Sequence, residues 1–243
     1  MACRAFAVIA GVGPGAGSAI AKRFAKSYPV VLLSRNATSY QPVVQEICSA
    51  GGSALGISTD LSDARSVTLA FERIASEFPN HMLVAAVFNS GGGSARKNFL
   101  ELKEEDYCNG LKPAVSGFNF AQLALPRLLD AVGRSVNSPT LIFTGATASW
   151  RGSAKFAAIA SGKSALRTMA QSIAREFGPQ GLHISHVVVD GVIDSPSARG
   201  ILDEVPDAKV SPDAIADTYW HLHTQPRSAF AFELEIRPYI EKW

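Results

Sequence analysis

Ala5-Phe6-Ala7-Val8-Ile9-Ala10-Gly11-Val12-Gly13-Pro14-Gly15-Ala16-Gly17-Ser18 is the stretch around which the chain is organised. An apolar run breaks into closely spaced glycines and then into Ala19-Ile20-Ala21-Lys22-Arg23-Phe24-Ala25-Lys26, the pattern of a buried strand, a tight turn and a helix. Glycine has no Cβ, so such a turn takes unusual dihedrals and lets a pyrophosphate approach the backbone. The first-turn N–H groups and the positive end of the helix dipole then meet its charge. Gly11, Gly13, Gly15 and Gly17 are therefore candidate phosphate-binding positions. A glycine-rich connection with no ligand is the plain alternative, and the flanking strand and helix weigh against it.

Outward from this turn, composition narrows the possibilities. With 243 residues, 47% apolar and 18% charged, the chain suits a single domain over 1–243 with one substantial core. A net charge of +2 gives no field that argues for nucleic acid or an anionic membrane, so the expected partner is a small molecule. Cys3, Cys48 and Cys108 are odd in number and form no CxxC pair, which suits free thiols in a reducing compartment. The apolar stretch before Gly11 is too short for a secretory signal and is needed as a strand, and no run approaches membrane-spanning length. The expectation is a cytoplasmic protein whose Asn36-Ala37-Thr38 sequon is not glycosylated.

The rest of the chain alternates strand and helix without a repeat or a linker. Pro29 to Leu33 reads as a second strand, Tyr40 to Ala50 as a helix, and Ala54 to Thr59 as a third strand ending at Asp60-Leu61. Ser62 is the expected cap of a helix through Phe78, and Leu83 to Phe88 is a fourth strand that breaks at Asn89-Ser90-Gly91-Gly92-Gly93. A helix follows over roughly Glu104 to Val132, with a kink expected at Pro113. Thr140 to Thr144 is a fifth strand, Ser153 to Phe177 contains the helix carrying Lys163, and His183 to Val189 is a sixth strand ending at Asp190-Gly191. Residues 194–211 lose all periodicity and form a candidate lid, Pro212 opens a last helix, and Ala229 to Pro238 holds a last strand. This order describes an α/β, Rossmann-like, doubly wound parallel sheet of about seven strands with helices on both faces, whose ligands sit at the carboxyl ends of the strands.

At the end of the second strand, Ser34-Arg35 stands where an acid would accept from the ribose hydroxyls of NAD. Serine followed by arginine leaves room and charge for a 2′-phosphate, so the expected cofactor is NADP, with NADPH preferred over NADH. Arg35 as a mere solvated charge is the alternative.

These residues together resemble the short-chain dehydrogenase/reductase family over nearly the whole chain. Ala10-Gly11-xxx-Gly15-x-Gly17 is similar to the family's TGxxxGxG, and Asn89-Ser90-Gly91-Gly92 to its NNAG. The resemblance places Asp60 and Leu61 beside adenine. Gly191-x-Ile193-x-Ser195 is similar to the family's PGxIxT turn facing the nicotinamide amide, with Asp190 in place of the proline. It also implies a homodimer or homotetramer.

The catalytic set departs from the family. Its YxxxK tyrosine would stand four residues before Lys163, where this chain has Ile159; the serine position falls on Ala146, and the asparagine position on Pro113. Lys163 alone remains, as in a divergent branch without the tyrosine. Carbonyl reduction needs a hydride on carbon and a proton on the developing alkoxide, and isoleucine supplies no proton. Thr144, Thr147 and Asp190 are the candidate replacements, each with a purely structural hydrogen-bonding role as its alternative. Arg96 is a candidate for an anionic group of the substrate, or a solvated charge. Ser161-Gly162-Lys163-Ser164 mimics the end of a Walker A loop but sits in helical sequence. His221 with His223, and His183 with His186, point to opposite faces, so no metal site is expected.

Three readings of function follow. The favoured one is an atypical NADP(H)-dependent oxidoreductase acting on a small organic substrate, with substrate, water or Asp190 supplying the proton. The others are a non-redox isomerase, dehydratase or cyclase on the same scaffold, and a non-catalytic dinucleotide-binding subunit.

Overall fold

A computed structural model describes residues 4–89, 91 and 96–242; Cys3, Ser90, Gly92 and Gly93 of the sequence reading lie outside the described residues. Seven parallel strands form one sheet: β1 (Arg4–Ala10), β2 (Val30–Ser34), β3 (Ala54–Ser58), β4 (His81–Phe88), β5 (Thr140–Ala146), β6 (His183–Val189) and β7 (Glu233–Ile236), in the order β3-β2-β1-β4-β5-β6-β7. The helices are α1 (Ala16–Ala25), α2 (Ala37–Ser49), α3 (Ala64–Glu77), α4 (Glu104–Asp130), α5 (Ala157–Phe177) and α6 (Pro212–His223).

Near-continuous hydrophobicity of the strands has a direct cause. Alternate residues of one strand enter opposite layers, so both need to be apolar. On β1, Phe6, Val8 and Ala10 pack with α3, α4 and α5, whereas Ala7 and Ile9 pack with α1, α2 and α6. Phe24 of α1 and Phe71 of α3 are fully buried on the two sides, and burial of such a side chain contributes about 1.5–3 kcal/mol. The order reverses between β1 and β4, which opens a crevice at their carboxyl ends.

Several local expectations need correction. Asp63, not Ser62, caps α3: its carboxylate accepts from the Arg65 N–H, while the Ser62 hydroxyl donates to Asp60 at 2.7 Å. The second helix starts at Ala37 and runs on through Pro42, where the proline removes the one N–H that would bond the Thr38 carbonyl. The last strand is confined to Glu233–Ile236. α4 continues through Pro113 as a single run of 27 residues.

The 194–211 segment holds only a short 3₁₀ turn at Pro196–Ala198, yet it is pinned at its base and across its middle. Ile193 pairs with Val210, and the Lys209 ammonium reaches the Ala198 carbonyl at 3.1 Å and the Asp203 carboxylate. Among the described residues no helix is long and apolar enough to cross a membrane.

Candidate active site

The glycine turn is built by close approach. Gly11 has φ of +87°, and its N–H bonds the Leu33 carbonyl at 2.8 Å, which turns the chain off the end of β1. At Gly17 a Cβ would stand 2.6 Å from the Gly11 carbonyl oxygen, so only glycine lets the first turn of α1 lie against the strand end. α1 has Gly15 at its N-cap and no side-chain cap; the Ser18 N–H turns back to the Gly13 carbonyl at 3.0 Å, which leaves the Ala16 and Gly17 N–H groups to an external acceptor. These features fit a dinucleotide pyrophosphate.

Two cavities meet at this turn, sharing Gly11, Asn89 and Gly91. One, of about 360 Å³, is lined by Ser34, Arg35, Asp60, Leu61 and, from α4, Asn109 and Lys112. The other, of about 380 Å³, is lined by Gly13, Gly15, Gly17, Thr144, Ala146 and Lys163, and by Gly191, Ile193 and Ser195 from beyond β6. Together they form one groove across the switch point, with Arg35, Asp60 and Lys112 at one end and Lys163, Gly191 and Ser195 at the other. Asp60 lies at the first end, where Ser62 holds its carboxyl below the usual range, with smaller help from Arg35 and Lys112.

A chain of hydrogen bonds fixes the middle of the groove. The Tyr219 phenol lies 2.8 Å from the Thr144 hydroxyl, which donates to Asn89 at 3.0 Å; the Asn89 amide donates in turn to the Gly11 carbonyl at 3.2 Å. Because Thr144 gives its proton to Asn89, the bond to Tyr219 runs from the phenol into Thr144. α6, β5, β4 and the glycine turn are thus held in one register. Burial raises the Tyr219 pKa, so this phenol is a structural donor and not a ready acid.

Lys163 stands at the floor of the second cavity. Its ammonium donates to the Thr144 carbonyl at 3.1 Å, and desolvation lowers its pKa to about 8. Its side chain also lines the groove. Ile159 lies one helical turn earlier on α5, and Ala146 at the end of β5 lines the groove without a hydroxyl.

Thr147 and Asp190 are brought together, but away from the groove lining. The Thr147 hydroxyl donates to Asp190 Oδ1, and Arg237 Nη2 lies 3.1 Å from Asp190 Oδ2. With both oxygens engaged and the residue buried, Asp190 is arranged as an acceptor.

Sequence reasoning missed Lys112, Tyr219 and Arg237. Lys112 sits on the exposed face of a helix, and the other two come from the far end of the chain. No local pattern marks any of them.

The profile of the short chain dehydrogenase family matches residues 5–205. The chain belongs to the short-chain dehydrogenase family. A 1-cyclohexenylcarbonyl-CoA reductase of Streptomyces collinus is 26% identical over 84% of this chain and 74% of its own length. A 2,5-dichloro-2,5-cyclohexadiene-1,4-diol dehydrogenase of Sphingobium indicum is 31% identical over 76% of this chain and 72% of its own. Among solved structures, a short-chain dehydrogenase from Rhodopseudomonas palustris superposes with a TM-score of 0.80 at 33% identity, covering 97% of this chain and 99% of that one. A metagenomic short-chain oxidoreductase in complex with NADP gives a TM-score of 0.81 at 23% identity, covering 97% and 98% of the two chains.

Proposed function

We propose that this short-chain dehydrogenase is an NADP(H)-dependent oxidoreductase in which Lys163 takes over the proton transfer usually made by a tyrosine. The observation that carries this reading is the Lys163 ammonium in the groove, 3.1 Å from the Thr144 carbonyl, with its pKa drawn to about 8. An acid whose pKa lies near the working pH combines a populated proton with a real tendency to release it.

Bound NADPH would supply the hydride. The glycine turn and the N-terminus of α1 would hold its pyrophosphate, and Arg35 with Lys112 its 2′-phosphate. Gly191, Ile193 and Ser195 would face the nicotinamide amide. The nearby complex of a relative with NADP supports this choice of cofactor.

Lys163 donates its proton to the oxygen that gains negative charge as the substrate carbon takes the hydride. The Thr144 carbonyl holds the ammonium before that transfer and can accept from the neutral amine after it. A single hydrogen-bonded ammonium is a weaker arrangement than a phenol backed by a lysine, so a conjugated enone, whose enolate is less basic than an alkoxide, suits the site better than a simple ketone. The Thr147, Asp190 and Arg237 cluster holds the start of the β6–α6 loop, and Asp190 acts there as a positioning residue.

The experiment is NADPH oxidation followed by absorbance against a panel of iminium, enone and ketone substrates, with product identification. Stoichiometric oxidation that Lys163→Met abolishes supports the reading. A product formed without loss of NADPH, or turnover untouched by Lys163→Met, overturns it in favour of a non-redox reaction or another donor.

A further inference from the structure

Three cations beyond the carboxyl ends of β4 and β5, Arg96, Arg151 and Lys155, serve neither the cofactor nor the proton transfer. The Arg96 guanidinium, beyond β4, lies 4.6 Å from the centroid of the Phe156 ring. Phe156 is the N-cap of α5, seven residues before Lys163. Seven residues are almost two full turns, so the two positions share a face and lie about 10 Å apart along the axis at 1.5 Å per residue. Ile159 sits between them on the same side.

Stacking engages the flat face of a guanidinium and leaves its in-plane N–H donors for an acceptor, while restricting a side chain that would otherwise sample many rotamers. Arg151 and Lys155, in the β5–α5 loop, are exposed at the same end of the sheet, and Lys155 is held at φ of +69°. Among the described residues none of these three cations has a carboxylate partner. Lys97, by contrast, is tied to Asp106 at 2.7 Å and Lys209 to Asp203. Uncompensated cations gathered beyond the carboxyl ends of neighbouring strands favour an anion there.

We infer that the substrate of this site carries an oxyanion, a carboxylate or phosphate, about 10 Å from the carbon that is reduced, and that Arg96 binds it. The span between is apolar, matching Ile159. The inference rests on the reductase reading of the same groove for the position of the reacting carbon.

The probes are a formylbiphenyl carboxylate with its two groups at the far para positions, its methyl ester, and the matching aryl phosphate. Each aldehyde takes one hydride from NADPH and one proton to give the alcohol. For wild type, the charged probes are expected to have lower KM than the ester. Arg96→Gln is expected to raise KM for a charged probe about tenfold at low salt, the scale of one lost charge-assisted hydrogen bond, with kcat unchanged and the ester unaffected. Added salt is expected to shrink the difference. Phe156→Leu, which removes the platform but keeps the charge, is expected to give a smaller rise. The carboxylate and phosphate arms identify the headgroup.

Calorimetric binding of the same probes in the presence of NADP⁺ separates two failures. Arg96-dependent binding of the charged probes with no NADPH oxidation sinks the reductase reading and leaves this inference standing. Equal handling of acid, phosphate and ester, or no effect of Arg96→Gln in binding and turnover, overturns the inference and leaves the reductase reading intact.

Discussion

Arg237 Nη2 lies 3.1 Å from Asp190 Oδ2, which joins the residue just beyond β7 to the residue just beyond β6. Arg237 is also paired with Glu235, and Asp190 accepts from Thr147 on its other oxygen. Both ends of the Asp190–Arg237 pair are largely buried, so removing Arg237 takes the counter-charge from a buried carboxylate, while removing Asp190 leaves Arg237 paired with Glu235. Arg237→Met is expected to cost about 3 kcal/mol, Asp190→Asn less because Glu235 still pairs Arg237, and the double variant less than the sum of the two. Denaturant melts of the three variants test this. Strictly additive losses would sink the claim of a coupled pair.

Lys163 predicts a pH profile. A general acid works only while protonated, and the Lys163 pKa is about 8. Turnover is therefore expected to fall as pH rises through about 8, and not to wait for the range of an ordinary lysine. Lys163→Met is expected to lower kcat/KM by roughly 10²–10⁴-fold. A rate that stays level to pH 10 contradicts the assignment.

Ile159 lies one helical turn from Lys163, where a phenol would meet the ammonium. Ile159→Tyr is expected to raise ketone reduction by about 10²–10⁴-fold, the usual contribution of one well-placed general acid. Steady-state rates on a broad ketone panel test it, and no gain on any member counts against the geometry.

Arg35 and Lys112 line the same end of the groove. Arg35→Ala is expected to weaken NADPH binding about tenfold or more while leaving NADH unchanged, since one charge-assisted contact to phosphate is lost. Lys112→Ala is expected to have a smaller effect in the same direction, and the double variant to erase the preference. Calorimetry with both cofactors decides; equal affinities in the wild type would remove the reason for an NADP site.

Acid should loosen the fold through two buried imidazoles. Burial lowers the pKa of His186 and of His223 to about 4, so both are neutral in the native state. The His186 contact with Glu233 at 2.9 Å is accordingly a hydrogen bond from neutral imidazole to carboxylate, not an ion pair. Unfolded histidine takes a proton near pH 6.5 and the native ones do not until about 4, so the unfolded state binds more protons across that window. Stability is therefore expected to fall as pH drops from 6.5 towards 4, by on the order of 2–3 kcal/mol for each histidine. His223→Gln keeps polar atoms near Tyr28 and Thr140 but does not titrate. Its stability is expected to depend less steeply on pH than that of the wild type, and an unchanged slope would exclude His223 as a contributor.

Much of this molecule is legible along the chain because the relevant forces are local. Apolar runs closed by glycine fix strands and turns, and strands apolar throughout require covered faces, so the order of elements already implies a parallel sheet with a groove at its carboxyl ends. The residues read as cofactor-facing, from Gly11 to Ser195, all line that groove: apart from Lys163, which reaches it from α5, each lies at or beyond the carboxyl end of a strand.

Tertiary structure alone decided which polar groups meet. Nothing near Asp190 in sequence announces Arg237, 47 residues later, and nothing near Thr144 announces Tyr219, 75 residues later. Those contacts turn two candidate acids into structural acceptors and leave Lys163 facing the groove. The physical reason is one of range. Propensity and periodicity act over a few residues, whereas burial and charge pairing depend on which distant segments the packed core forces together.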